Sequence, residues 1–164
     1  TQGLRMAAAI HDLGKILVPA AILNKAGDLS EPELAIIRAH PQTAYDILKD
    51  IDFPWPLAQA IHQHHERQDG SGYPQGLKGE AIVLEARIIA VADVVDAITC
   101  FRSYRPAVGL EAALAEIGAQ RGKQFDPRVV DACVAVLTQG RVVLQPPEGI
   151  PMASAMPAQA KEES

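Results

Sequence analysis

The sequence predicts an all-α domain on three grounds. Apolar residues recur at three- to four-residue spacing, helix caps and Gly or Pro breaks divide the chain into helix-sized segments, and no useful length alternates with the period of two that a strand needs. The 164 residues are 48% hydrophobic but only 4% aromatic, which favours packed helices over an aromatic-rich β-sandwich. This length suits one domain that buries a proper core.

The first two predicted helices are defined by their end signals. The stretch LRMAAAIHDLG is typical of the last turns of a helix that stops at Gly14, a C′ glycine. Ser30 and Glu33 form an S-x-x-E capping box, and the helix that it opens is expected to continue through His40 to Leu48.

Loops are predicted around these helices and around a third, shorter one. Residues 19–30 are loop-like, and the FPWP stretch at 53–56 breaks the apolar pattern. A short helix is expected over 57–65. The four glycines between 69 and 79 indicate a loop rather than a regular element.

Three helices are predicted in the C-terminal half: residues 84–99, residues 109–120, and a helix with Asp126 as N-cap and Pro127 at its first position. From Gln145 the chain is rich in Pro, Ala and Glu. We therefore assign residues 1–140 to the domain and residues 141–164 to a disordered tail or linker.

Composition excludes several classes of protein. The formal net charge of -5 argues against a general polyanion binder, so no DNA or RNA partner is expected. Cys100 and Cys133 belong to no metal-binding spacing and indicate small side chains in a reducing compartment. No apolar run approaches the roughly 18 residues of a membrane span, and no signal peptide is present, so we expect a cytoplasmic domain.

Histidines and aspartates are the residues that point to chemistry. All five histidines fall within the first 65 residues, and Asp93 interrupts the apolar stretch IIAVADVVDAI. A carboxylate there is costly to bury unless its charge is offset, although it could also face solvent or accept hydrogen bonds from a loop. Asp96 shares the helix face of Asp93 and is a candidate hydrogen-bond acceptor behind the ligands. Imidazoles and carboxylates without thiolates suit Fe, Mn or Zn, so the residues alone indicate a metal hydrolase.

Taken together, several stretches resemble the HD-GYP family, a subgroup of the HD superfamily of metal-dependent phosphohydrolases. These stretches are HDLGKILVPAAILNK, the His40-Pro41 pair, HHERQDGSGYPQGLKGEAIVLEARIIAVADVVDAI and YRPA, in order, over about residues 11–137. The resemblance implies an all-helical bundle with a glycine-rich GYP loop. It also implies hydrolysis of the bacterial second messenger cyclic di-GMP to linear pGpG, or on to GMP.

The resemblance implies a metal centre held by one set of residues: His11, Asp12, His40, His64, His65 and Asp93. Asp12 is the expected bridging carboxylate. The implied cofactor is a pair of Fe or Mn ions, or three in a complete domain, in preference to Zn, Mg or Ni. His62 lies outside the family pattern and is not expected to be a ligand.

Other matched positions are expected to contact substrate or shape the site. Lys15 is expected to stabilise charge on the phosphoryl oxygens, and Arg102 and Arg105 to hold a phosphate. Tyr73 is expected either to pack on a guanine or to hold the loop. The expected loop and supporting residues are Glu66, Asp69, Gly70, Gly72, Pro74 and Asp96. Glu66 and Asp69 are expected either to anchor the loop or to contact substrate.

Some positions depart from the family pattern. Phe101 and Ser103 replace the usual residues around the two arginines, and Gln68 stands where many members have Trp. The family also draws one more histidine ligand from a helix upstream of the HD pair. This chain begins ten residues before His11, so we expect that ligand to come from outside it.

The sequence thus predicts a metal-dependent cyclic di-GMP phosphodiesterase, with two alternatives. One is an HD-GYP module without turnover that binds cyclic di-GMP or signalling partners, and the other is an HD phosphohydrolase for another nucleotide. The resemblance implies an upstream receiver or other sensory domain, and diguanylate cyclases of the GGDEF type as partners.

Overall fold

A computed structural model describes residues 2–99 and 109–140. These residues form eight α-helices: α1 (Gln2–Ile10), α2 (Ala20–Leu23), α3 (Glu31–Arg38), α4 (His40–Leu48), α5 (Leu57–Gln63), α6 (Leu84–Thr99), α7 (Leu110–Ala119) and α8 (Pro127–Thr138). Two short 3-10 segments, Leu13–Leu17 and Gly79–Ala81, lie between them. The described residues contain no strand, so the all-α prediction is confirmed.

Helix α6 is the centre of the bundle, because it contributes to both hydrophobic cores. Its Ile89 packs in a cluster with α1, α4 and α5, where Ala7, Ala44 and Ala60 are almost completely buried. These alanines let the helix backbones approach closely. Val91 and Val95, which lie further along α6, pack instead with α7 and α8. The first core therefore supports the N-terminal helices, which carry most of the histidines.

A buried ion pair joins the start of α6 to the start of α8. The Arg87 side chain is 7% exposed, and its Nη1 donates to Asp126 Oδ2 at 2.9 Å. The same guanidinium also donates to both oxygens of Glu80. Asp126 caps α8 as predicted, since its Oδ1 accepts from the Arg128 backbone N–H at 2.9 Å. The pair thus offsets the cost of burying both charges.

Several predicted boundaries are confirmed. The Ser30–Glu33 capping box is present, with the Ser30 backbone N–H donating to Glu33 Oε2 at 2.7 Å. Helix α6 covers the predicted range of 84–99, and α7 lies within the predicted 109–120. The short α2 lies inside a stretch that was expected to be loop.

The expected end of α1 at Gly14 is wrong. The helix ends at Ile10, and Gly14 lies inside the 3-10 segment with a negative φ, so it is not a C′ glycine. A Cβ at Gly14 would overlap the backbone carbonyl of His40. Gly14 is therefore required for close approach of the HD segment to α4.

The single helix expected from Ser30 to Leu48 is also wrong. The chain forms two helices that meet at Ala39, with Pro41 in the first turn of the second. A proline has no N–H to continue the hydrogen bonds of a preceding helix, but it is accepted at the start of a new one. The break places His40 at the start of α4, where it is 1% exposed.

Within residues 2–99 and 109–140, none of the helices combines the length and apolar character that a membrane span requires.

Candidate metal centre

Four parts of the bundle bring the predicted ligands together. His11 and Asp12 follow α1, His40 begins α4, His64 and His65 follow α5, and Asp93 lies in α6. Two groups of residues each have their ligand atoms within 4.8 Å of one another. One group is His40, His64 and His65, and the other is His11, Asp12 and His64. These groups share His64, so they form one continuous cluster.

Two aspartates place carboxylate oxygens close to these histidines. Asp12 Oδ1 is 3.4 Å from His40 Nε2, and Asp12 Oδ2 is 3.6 Å from His11 Nε2. The position of Asp12 therefore suits a carboxylate that bridges two ions. Asp93 Oδ1 is 3.8 Å from His11 Nε2, but the Asp93 side chain is 26% exposed. It thus lies at the edge of the cluster, not in a sealed core as a buried acid would.

Backbone carbonyls orient three of the histidine rings. In each, Nδ1 faces the carbonyl oxygen three residues earlier: His11 to Ala8 at 2.8 Å, His40 to Ile37 at 2.7 Å and His64 to Ile61 at 2.6 Å. A carbonyl can only accept, so each Nδ1 must carry the ring hydrogen and donate it. This contact turns Nε2 towards the cluster, as second contacts of metal-binding histidines commonly do.

Pro41 leaves the Ile37 carbonyl without a backbone hydrogen bond from position 41. In a continuous helix that carbonyl would accept the backbone N–H of residue 41, but proline has none. The His40 ring takes its place at 2.7 Å. The Ile37 carbonyl orients the His40 ring, and Pro41 removes the backbone N–H that would compete for that carbonyl.

Two features of the cluster fit bound cations. His40 Nε2 and His64 Nε2 lie 3.4 Å apart, and with both hydrogens on Nδ1 neither nitrogen has a hydrogen to donate. Two facing lone pairs repel unless a cation lies within reach of both. In addition, Asp12 Oδ1 is buried and has no hydrogen-bond partner among the described residues. Such an orphaned acceptor is rare unless an ion satisfies it.

The protonation states suit metal binding as well. Burial lowers the pKa of His64 to about 3, and it also lowers the pKa of His40 and His65 below the usual value. These rings are neutral near pH 7, which is the form that binds metals. Burial alone would raise the pKa of Asp12, but the hydrogen bond and charge of Lys15 hold it below its usual range. Asp12 is therefore ionised.

Lys15 lies beside the predicted bridging carboxylate. Its Nζ donates to Asp12 Oδ2 at 2.7 Å, and its side chain is 35% exposed. The ammonium is thus held at the open side of the cluster, where it can meet an anionic ligand.

The GYP loop is anchored by Glu66, which is 2% exposed. Glu66 Oε1 accepts from the Gln75 backbone N–H at 2.7 Å, and Oε2 accepts from the Leu77 N–H at 2.9 Å. Asp69 Oδ1 similarly accepts from the Ser71 backbone and hydroxyl. The two carboxylates that were predicted to be loop or substrate residues thus hold loop atoms.

Gly72 and Tyr73 bring the loop against the cluster. A Cβ at Gly72 would collide with the backbone of residues 65–67, so only glycine allows this approach. The Tyr73 ring stacks on His65, with centroids 4.7 Å apart and an angle of 26°. Burial raises the pKa of Tyr73 to about 12, so its hydroxyl stays protonated. Of the two predicted roles of Tyr73, this contact supports holding the loop and leaves base packing untested.

The other predicted loop residues have simpler positions. Gly70 has a φ of 82°, in the left-handed region that favours glycine. Pro74 follows Tyr73 through a cis peptide bond. Gln68 leaves its side-chain Nε2 buried without a hydrogen-bond partner in the described part of the chain. Asp96 is exposed one turn beyond Asp93.

His62 lies outside the cluster. Its Nε2 is 2.8 Å from Gln42 Oε1, and its ring stacks on Tyr45 with centroids 4.5 Å apart. Arg102 and Arg105, with the departures at Phe101 and Ser103, lie outside the described residues, as do Cys100 and the predicted tail over 141–164.

An apolar groove of about 920 Å³ opens beside the cluster. Its walls come from α1, α6 and α8, and its lining residues include His11 and Asp93 as well as Ile88, Val129 and Cys133. The cluster is therefore open towards this groove.

Comparisons with known proteins agree with this geometry. The sequence model of the HD domain family matches residues 1–129. The chain belongs to the HD domain family. This family has a metal-dependent hydrolase fold, and the GYP loop that packs on the cluster places the chain with its HD-GYP members.

Several curated relatives of this HD domain are named as phosphodiesterases. The cyclic di-GMP phosphodiesterase response regulator RpfG of Xanthomonas campestris is 49% identical over 144 residues, covering 87% of this chain and 37% of the relative. A 3'3'-cGAMP-specific phosphodiesterase of Vibrio cholerae is 40% identical over 134 residues, covering 82% and 28%. The chain thus spans about a third of the length of these relatives.

Two solved structures share the HD fold. An HDG"Y"P protein of Bdellovibrio bacteriovorus, Bd1817, superposes with a TM-score of 0.67 at 22% identity, covering 84% of this chain and 44% of that one. The V. cholerae cyclic GMP-AMP phosphodiesterase V-cGAP3 gives 0.58 at 25% identity, covering 85% and 38%. The first likeness shows the fold alone.

Proposed function

We propose that this chain is the catalytic domain of a phosphodiesterase that hydrolyses cyclic di-GMP to linear pGpG, and on to GMP. The observation that carries the proposal is the pair of facing nitrogens, His40 Nε2 and His64 Nε2. Beside them lies Asp12 Oδ1, which has no hydrogen-bond partner within residues 2–99 and 109–140. This donor set needs cations, and the chain belongs to a metal-dependent hydrolase family. The names of the relatives at 38–49% identity indicate the substrate class.

We assign the ligand set to His11, Asp12, His40, His64, His65 and Asp93, and the metal to iron or manganese. Nitrogen and oxygen donors without thiolate suit these ions. When bound, a pair of such ions supplies an activated water and clamps the oxygens of a phosphodiester during in-line displacement.

The residues of this chain bind, orient and neutralise charge around that reaction. Asp12 presents its two carboxylate oxygens to different histidines: Oδ1 faces His40, and Oδ2 faces His11. Lys15, fixed by its contact with Asp12 at 2.7 Å, stabilises negative charge that develops on the phosphoryl oxygens. Arg102 and Arg105 are proposed, from the family resemblance, to orient the substrate phosphate.

The ligand shell is proposed to gain a further histidine from another helix of the whole protein. The family resemblance implies such a ligand, and the apolar groove that His11 and Asp93 help to line offers a place for a helix to pack. The proposal predicts a higher metal affinity for a longer form of the protein that includes this helix.

The proposed setting is a cytoplasmic signalling protein. The RpfG relative is named a response regulator, which supports an upstream receiver domain. Residues 1–140 are proposed as the HD-GYP domain and residues 141–164 as a tail or linker. Diguanylate cyclases of the GGDEF type are proposed partners, since they make the substrate.

The function is tested with the full-length protein loaded with manganese or iron. The expected result is hydrolysis of cyclic di-GMP, measured by chromatography of the products pGpG and GMP. Asp12→Ala should abolish this hydrolysis and lower the content of bound metal. Lys15→Gln should retain metal but lose about 100-fold in kcat, a usual cost of removing one charge-stabilising donor. Both variants are compared with Lys49→Gln, an exposed lysine on the far end of α4.

Other outcomes separate the alternatives. Tight binding of cyclic di-GMP to the metal-loaded protein without product would indicate a receptor module. Faster turnover of 3'3'-cGAMP than of cyclic di-GMP would assign that dinucleotide as the substrate, which the 3'3'-cGAMP-specific relative of V. cholerae supports. Metal-loaded protein that cleaves neither dinucleotide would refute the proposal.

A further inference from the structure

We infer that Arg38 is a substrate-recognition residue that binds an anionic group of a cyclic dinucleotide other than the phosphodiester being cleaved. This inference rests on the proposed function. Arg38 is the last residue of α3 and is exposed. It lies two residues before His40, so their Cα atoms are at most about 7 Å apart. The Arg38 side chain therefore leaves the backbone close to the metal centre.

A stack of planar groups connects Arg38 to that centre. The Arg38 Cζ lies 5.9 Å from the centroid of the Tyr73 ring. Tyr73 in turn stacks on His65, a proposed ligand, with centroids 4.7 Å apart. A cation at this distance from an aromatic ring is attracted to its face. Tyr73 therefore holds the guanidinium close to the metal centre.

The charge of Arg38 is available for a ligand. Within residues 2–99 and 109–140, the Arg38 guanidinium contacts the Tyr73 ring, and no carboxylate forms an ion pair with it. The other cations near the cluster are engaged. Lys15 contacts Asp12, and Arg67 donates to the Glu66 carbonyl while its guanidinium lies over Phe125.

The chemistry of the guanidinium suits the second phosphodiester of a cyclic dinucleotide. Arginine presents a planar fork of donors that matches phosphate oxygens, whereas lysine offers a point charge. Lys15 contacts Asp12, a proposed metal ligand, so we assign it to the phosphate at the metals. A substrate with a second phosphodiester carries another anionic group with two non-bridging oxygens. That group lies away from the metals, where an exposed guanidinium can bind it.

The test compares two substrates in the full-length, manganese-loaded protein. Cyclic di-GMP carries two phosphodiesters, whereas bis(p-nitrophenyl) phosphate carries one. Arg38→Gln should raise KM for cyclic di-GMP about 10- to 100-fold, the usual loss of a hydrogen bond to a charged group, with kcat nearly unchanged. Its kinetics on bis(p-nitrophenyl) phosphate and its metal content should match those of the wild type.

Two further variants control for charge and for structure. Arg38→Lys keeps the charge but loses the fork, so its KM should lie between those of wild type and Arg38→Gln. Arg5→Gln removes an exposed arginine of α1 and should leave both substrates unaffected.

Each remaining outcome overturns the inference in a recognisable way. An equal loss on both substrates would mean that Arg38 acts through Tyr73 and His65 on the metal centre. Unchanged KM for cyclic di-GMP would mean that Arg38 does not contact substrate, while the proposed function stands. Wild-type protein that cleaves bis(p-nitrophenyl) phosphate but not cyclic di-GMP would refute the proposed substrate and this inference together.

Discussion

Replacing Glu66 with alanine should release the loop that carries Tyr73. The Glu66 carboxylate is 2% exposed and accepts hydrogen bonds from two backbone amides, those of Gln75 at 2.7 Å and Leu77 at 2.9 Å. Without it, both amides lose a charged acceptor. Leaving a buried donor unsatisfied costs about 1–3 kcal/mol. Gln75 is exposed and Leu77 half-buried, so water replaces part of the loss, and we expect about 2–4 kcal/mol in total.

This free energy should appear first as local opening of the loop. Native-state hydrogen exchange measures it directly at the two amides. A loss of about 2–4 kcal/mol corresponds to a fall in protection of about 30- to 1000-fold, if the amides exchange through that opening. Glu66→Gln keeps one carbonyl acceptor and should lose about half of that free energy. Glu116→Ala, an exposed acid on α7, should change the free energy of unfolding by no more than about 0.5 kcal/mol.

Unchanged protection of the Gln75 and Leu77 amides in the alanine variant would refute the reasoning. It would mean that the remaining contacts hold the loop without Glu66. One such contact is the hydrogen bond from the Tyr73 backbone N–H to the His65 carbonyl at 3.3 Å.

Three further predictions concern the ring contacts, the buried ion pair and pH. Pro41→Ala restores an N–H that competes with the His40 ring for the Ile37 carbonyl, so manganese affinity measured by titration calorimetry should fall about tenfold; unchanged affinity would contradict this role. Asp126→Ala leaves the Arg87 guanidinium buried with only Glu80 and removes the cap of α8, so urea unfolding should show a loss of about 3 kcal/mol. A loss below about 1 kcal/mol would mean that Glu80 alone offsets the charge. In the chelator-treated protein, the lowered pKa of His64 means that the unfolded state binds more protons between pH 6.5 and about 3. Stability should therefore fall with decreasing pH in that window, by up to about 1.4 kcal/mol per unit for this residue, and be insensitive to His64 above it. A flat urea midpoint from pH 6 to pH 4 would exclude this linkage.

The helices were predictable where local signals determine them. The Ser30 capping box, the Asp126 N-cap and the long apolar run of α6 each specify a boundary through neighbouring residues. Two predictions failed because a residue had a second use. Gly14 has no Cβ, which leaves room for the His40 carbonyl. Pro41 begins a new helix and has no N–H to bond the Ile37 carbonyl, which the His40 ring contacts instead. Both uses depend on contacts with other parts of the chain.

The sequence by itself determined the class of the protein and the residue types of its site. Helical periodicity fixed the all-α class, and the HD, HH and GYP stretches named the ligand candidates, because those signals are local or depend on order along the chain. The tertiary structure was needed to show which ring nitrogens face one another and that Arg38 lies over Tyr73. It was also needed to show that Asp12 Oδ1 has no hydrogen-bond partner among the residues that the structure describes. These are distances between side chains of different helices, and they follow from how α1, α4, α5 and α6 pack, which no single stretch of sequence encodes.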